Sequence, residues 1–516
     1  MKTRWLKTAA LAVGFAAVCL TSVARHRFTA EQKEQDFEYL YQTLKENYPY
    51  FGVLQRQTGR DWLANHDRYL RMIRETADDK SFVTALQKIM GELNNGHAYV
   101  LVPGRWFDQM SATYRKAAVT PGKENKIYRR WAAVYDRARP YYDYLSELYG
   151  IEPEAESADG NDSGSGYDPA GKVRLSMLGG GRIGVLTIDS FMNPSADSTL
   201  LMSFLDSVQG CEHLIIDLRK NSGGNDQYWD HNIMPRLISK TYKWNTPSVL
   251  RRGPIAGTWY EKKYRSFREV ASLPNLAPEV TSEDFTVVVD KKVVRPNGKN
   301  RFNGKVWLFV GPRVFSSSES FAAFTKATGW ATVVGTRTGG DGIGVDPIPM
   351  MLPGSGVVVI FPAWGGLNPD GSFNFEARTQ PDIEIAGAGA SEALANLVHY
   401  IDPTVEVPVT AIPRVVGVGP FENGAQDVDP AVTEIKFRFS EPMHGFSFGY
   451  GPLGPEAFPE VVRAGSGYSE DGLELTLAVK LKPDTEYQIQ VLDGLSLRNR
   501  DGISVESYLL SFKTRK

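Results

Sequence analysis

Two cysteines in 516 residues are too few to build a disulfide framework. Cys19 lies in an N-terminal apolar run, so a chain processed after that run keeps only Cys211 and has no internal pair. With so few thiols and seven scattered histidines, a Cys/His zinc site is not expected. Charge of one sign is equally scarce. The 58 basic and 60 acidic residues give a formal net charge of -2, with no basic cluster to serve nucleic acid. A 42% hydrophobic and 23% charged composition, with a mean hydropathy of -0.29, excludes a coiled coil, a collagen and a wholly disordered chain. What remains is a globular protein too long for one core, with two or three domains.

Lys2, Arg4 and Lys7 precede the apolar run Ala9–Leu20, and Ser22-Val-Ala24 supplies small residues at cleavage spacing. This is the pattern of a secretory signal peptide over residues 1–24. A membrane anchor would need about 20 apolar residues, more than this run offers. Lipidation at Cys19 is disfavoured by Val18 before it. The expected location is therefore exported, either periplasmic or extracellular at the cell surface.

Residues 28–150 read as a helical region. Phe37, Leu40, Tyr41 and Leu44 recur at three and four residues, as do Trp62, Tyr69, Leu70 and Ile73. A further helix from Lys80 stops at Asn94-Asn-Gly96, directly before His97. Residues 105–149 also read as helical. Residues 151–171 are acidic and rich in Gly and Ser, the composition of a mobile linker. Over residues 172–402 short β-branched strands alternate with helices: 183–188, 213–217, 306–310, 331–334 and 357–361, with helices at 195–209, 226–239 and 317–328. That is an α/β layer whose loops carry chemistry. From 403 to 516 apolar and polar residues alternate between turn signals, as in an all-β sandwich.

Ser316 lies where strand 306–310 and a Gly-Pro turn lead into a helix. A hydroxyl there meets free backbone N–H groups that stabilise an oxyanion. Read locally, Ser316 and Ser317 equally suit helix capping, with Glu319 completing a capping box. Asp217-Leu-Arg-Lys-Asn-Ser-Gly-Gly224 follows a buried strand, and its paired glycines let a backbone N–H approach a ligand closely. They also suit a plain turn. His97, after a glycine in a loop, is the histidine best placed to act as a base, although a lone histidine also serves structural roles.

Together these stretches resemble the tail-specific, or C-terminal-processing, serine peptidases (serine peptidase family 41) and their relatives built on the tricorn core. Phe315-Ser-Ser-Ser-Glu-Ser-Phe-Ala-Ala323 is similar to that family's nucleophile block, with its serine three residues before a glutamate. This register selects Ser316. The segment 214–224 resembles the family's Asp-x-Arg-x-Asn-x-Gly-Gly stretch, and Pro381-Asp-Ile-Glu-Ile385 the segment that closes its core. The resemblance implies a multidomain α+β protein with an α/β (ClpP/crotonase-like) core. It also implies oxyanion amides from Gly223 and Ser317, a polypeptide substrate and no metal or organic cofactor.

Many bacterial members carry a lysine base where this chain has Asp341, in Thr338-Gly-Gly-Asp-Gly342, so a histidine base is expected. Asn95-Gly-His97 resembles the tricorn-like Asp-Gly-His context. Glu376, one residue off the usual spacing to Pro381, is the expected orienter of His97. A surface ion pair is the other reading of Glu376, and Asp341 is the alternative orienter. No peptide-binding PDZ-like module is recognisable before Arg182. Phe439-Ser-Glu-Pro-Met443 and Leu481–Tyr487 resemble bacterial Ig-like domains, which implies association with the cell surface or envelope. A catalytically inactive binding protein and an esterase are the rival functions. The sequence assigns no oligomeric state.

Overall fold

The computed structural model describes residues 28–120, 125–151, 168–255, 264–298, 302–344, 346–387, 389–409, 411–462, 465–492, 497–499 and 503–516. The signal segment 1–24, with Cys19, and most of the acidic stretch 151–171 lie outside the described residues. Two compact units divide the chain, Met1–Glu384 and Ile385–Lys516. Among the described residues no helix is long and apolar enough to cross a membrane.

The first unit begins with helices α1 (Ala30–Asn47), α2 (Phe51–Thr58), α3 (His66–Arg74) and α4 (Asp79–Gly91). Thr29 starts α1 through a reciprocal capping box with Gln32, which satisfies two backbone N–H groups. Phe37, Leu40 and Leu44 bury one face of α1, each contributing about 1.5–3 kcal/mol by leaving water. Strand β1 (Tyr99–Val100) follows, then the helices α5 (Arg105–Val119), α6 (Asn125–Tyr149) and, beyond the first strands of the next layer, α7 (Ser198–Ser207).

The α/β layer is a six-stranded sheet. Its strands are β2 (Val173–Leu178), β3 (Ile183–Ile188), β4 (His213–Asp217), β7 (Lys305–Val310), β8 (Thr332–Gly335) and β12 (Ile383–Glu384), in the order β12-β8-β7-β4-β3-β2. All neighbours are parallel except β2 with β3. Their β-branched, near-continuous apolar runs suit strands buried on both faces. In register, Asp217 at the end of β4 lies opposite Phe309 near the end of β7, so the loops that follow leave one edge of the sheet together. That shared edge is where ligands bind in open parallel sheets.

Several elements depart from the sequence reading. Segment 357–361 is not part of the α/β layer. As β10 (Val358–Phe361) it joins β1 and β9 (Ile348–Met351) in a separate antiparallel sheet, which ties the segment after His97 to the later chain. A long hairpin, β5 (Tyr242–Arg251) with β6 (Phe285–Val294), pairs with β11 (Trp364–Gly366). Pro247 and the Lys291-Lys292 pair hide that hairpin by breaking its alternation. The helix expected over 226–239 is a wide turn, Tyr228–Ile233, and a single helical turn, Met234–Leu237.

The second unit holds a helix, Ala390–Ile401, and a β-rich tail with two principal sheets. Ile435, Phe437, Leu475 and Leu477 from one sheet and Ile489, Val491, Leu510 and Phe512 from the other share one buried core.

Candidate active site

After β7 the chain turns through Gly311–Val314 into helix α8 (Ser317–Thr328), and Ser316 sits at the bend. Its backbone adopts φ 56 and ψ -124, a sparsely populated region for a residue with a side chain. Such strain costs on the order of 1–3 kcal/mol. Although Ser316 holds the N-cap position, its hydroxyl makes no capping bond. The capping box is not formed either, because the buried Glu319 carboxylate accepts from Asn374 at 2.7 Å and Thr379 at 2.6 Å. Burial pushes its pKa up to about 7 against the hydrogen bonds from Thr338, Thr379 and Asn374.

The Ser316 hydroxyl lies 3.0 Å from His97 Nε2, and His97 Nδ1 lies 2.8 Å from Asp341 Oδ2. Helix α4 ends through Asn94, in the left-handed region at φ 50, and Asn95 Oδ1 accepts the His97 backbone N–H at 2.7 Å. The Phe315 ring packs on the imidazole with centroids 4.5 Å apart. A Cβ on Gly96 would stand 3.1 Å from that ring, so the glycine permits the approach. The turn carrying Asp341 is tied to the Ser316 segment by backbone bonds, Gly339 N–H to Val314 C=O at 2.7 Å and Ser316 N–H to Gly340 C=O at 3.3 Å. Asn374 Oδ1 accepts the Gly342 N–H at 2.8 Å. Side-chain exposure is 17% for His97 and 5% for Asp341, so water screens the pair little.

The glycine pair lies beside the bend. Gly223 and Gly224 have φ of +108 and +137, and a Cβ on Gly223 would fall 2.8 Å from Ser316 Cβ. The N–H expected to face an oxyanion from Gly223 is instead donated to Asn221 Oδ1 at 2.9 Å. Gly224 N–H has no acceptor among the described residues, and the Ser317 N–H at the first position of α8 has no intrahelical one. Ser318 joins the two loops by donating to Asn221 C=O at 2.7 Å. The Ser317 hydroxyl is buried, with no partner among the described residues.

Glu376 is not with this group. Arg56 holds it at 2.7 Å and also pairs with Glu279 at 2.8 Å, in a half-exposed cluster. The carboxylate that meets His97 is Asp341, and the ion-pair reading of Glu376 applies, with Arg56 as partner. Asn221, already within the Asp-x-Arg-x-Asn motif, Ser318 and Tyr50 were not singled out in the sequence. Of these only Asn221 carried a signal there.

Residues 182–385 match the model of peptidase family S41. Similar solved structures include a candidate peptidase from Parabacteroides merdae, 20% identical over 69% of this chain and 90% of that one, TM-score 0.43. Mature CPAF in complex with lactacystin is 13% identical over 73% and 97%, TM-score 0.42. The photosystem II D1 C-terminal processing protease is 15% identical over 68% and 92%, TM-score 0.35.

Proposed function

Residues 182–385 belong to peptidase family S41 and make the chain a serine-type peptidase; from that premise we propose that it cleaves polypeptides through an acyl-enzyme on Ser316, with His97 as base and Asp341 as its orienter. The observation that carries this reading is the unbroken line Ser316 Oγ, His97, Asp341 at 3.0 and 2.8 Å. Ser316 Oγ attacks the scissile carbonyl carbon while its proton passes to His97 Nε2. The tetrahedral oxyanion is met by the Ser317 N–H and by the Gly223–Gly224 turn, where Gly224 N–H is the donor left unengaged. Collapse expels the amine, which takes the proton from Nε2, and water then hydrolyses the ester by the same route. Asp341 stays ionised, fixes the tautomer with Nδ1–H and stabilises the imidazolium.

The chain is further proposed to be exported, on the strength of its N-terminal pattern, and to carry an Ig-like tail that associates with the cell surface or envelope. Edman sequencing of protein recovered outside the cytoplasm should begin near Arg25, and an intact Met1 would refute export. For the chemistry, a fluorophosphonate probe should label the wild type and Ser316→Ala should abolish labelling, while Ser317→Ala keeps it. An unlabelled wild type that leaves casein and peptides intact would overturn the mechanism in favour of a binding protein.

A further inference from the structure

Within the centre proposed above, and resting on that reading, we propose that Tyr50 is a positioning residue whose hydroxyl clamps Asp341 Oδ1 so that Oδ2 is the oxygen presented to His97. Tyr50 lies between α1 and α2, 291 positions from Asp341 in sequence, and is 1% exposed. Its hydroxyl stands 3.0 Å from Asp341 Oδ1 and 3.0 Å from the Trp364 carbonyl oxygen. A phenol has one proton to donate, and an ionised carboxylate is the stronger acceptor of the two. Burial, then the charge of Asp341, hold the Tyr50 hydroxyl well above the ordinary tyrosine range, so it remains a donor at every working pH.

The ring itself is fixed by packing. Phe373 and Tyr48 meet it edge-on, with centroids 5.3 and 5.7 Å away, and Phe375 lies tilted against it at 4.9 Å. Asp341 needs such an anchor because its backbone sits at φ 57, a conformation that a non-glycine residue holds only when its surroundings impose it. Both carboxylate oxygens are thus engaged by groups from the helical region, Oδ1 by Tyr50 and Oδ2 by His97. Without the clamp the carboxylate can rotate and present either oxygen. An unshared carboxylate is also more basic and would hold the imidazolium more tightly.

Tyr50→Phe keeps the ring and removes only the donor. Its kcat/KM should fall about 10- to 100-fold, the equivalent of one hydrogen bond to a charged group. The loss should lie in kcat, with KM little changed, and the acidic limb of the pH profile should move upward. Replacing Tyr50 by 3-fluorotyrosine, a stronger donor of nearly the same size, should move that limb downward. In an Asp341→Asn background Tyr50→Phe should cost nothing further. Equal losses in both backgrounds, or acidic limbs that stay in place in both position-50 variants, would overturn the proposal. Failure of the wild type to react with fluorophosphonate would instead refute the underlying Ser-His-Asp reading.

Discussion

The two parts of the first unit hold their reactive groups in different ways. The α/β core uses backbone: Ser316 and Asp341 both stand at positive φ, and Gly339, Gly340 and Val314 lock their segments together. The helical region uses side chains. Asn95 fixes the His97 loop, and Tyr50 reaches Asp341 from the start of α2. Backbone strain positions a group with little freedom but needs particular residues at the bend. Side-chain clamps can be removed one atom at a time. Ser316 and Asp341, the proposed nucleophile and orienter, therefore come from the backbone-held part, and His97, the proposed base, enters between them from the other.

Five substitutions would break or sharpen that contrast. Ser316→Ala should lower kcat by on the order of 10⁴-fold or more, while Ser317→Ala leaves much of it, both read by peptide turnover. Asp341→Asn should cost about 10⁴-fold in kcat with an unchanged fold by circular dichroism, as expected when the wrong tautomer is favoured. If it is harmless, the backbone-held acid is not the orienter. Glu319→Gln acts on stability. With its folded pKa raised to about 7, Glu319 stays protonated in the folded chain where the unfolded chain has ionised it. Its contribution is full below the unfolded value near 4.5 and is lost as pH rises towards 7. Between pH 5 and 8 the urea midpoint should therefore decline more in the wild type than in Glu319→Gln, and parallel curves would contradict this. Glu376→Gln should be the mildest change, with turnover within about twofold and stability within ~1 kcal/mol, the usual worth of a surface ion pair.

Much of this was legible in the chain. Helical periodicity at Phe37, Leu40 and Leu44, and the β-branched runs before the Gly223 turn and the Ser316 bend, follow from local physics. Ser316, His97 and Asp341 each stood out by residue type and context, but the choice between Asp341 and Glu376 did not. That choice depends on which carboxylate faces the imidazole across a tertiary contact, and Arg56, 320 positions from Glu376 in sequence, decides it. Tyr50 was unreadable for a related reason. In Tyr48-Pro-Tyr-Phe51 three aromatic residues look alike as core material, and only the fold gives one hydroxyl a charged acceptor. The β5–β6 hairpin was hidden because Pro247 and the adjacent lysines mask a strand that neighbouring pairing stabilises.

The Ser316–His97 bond also spans two separate hydrophobic clusters. Val314, Phe321 and Phe324 anchor the serine's segment in one, whereas Leu93 and Ala98 anchor the histidine's in the other. On the proposed mechanism, that bond would act as a fuse across a seam. Partial opening along that line would disable turnover while both cores remain folded, since local opening costs less than global unfolding. On gentle denaturation, probe labelling should vanish before ellipticity falls, and the gap between the two curves would measure how firmly the halves are joined.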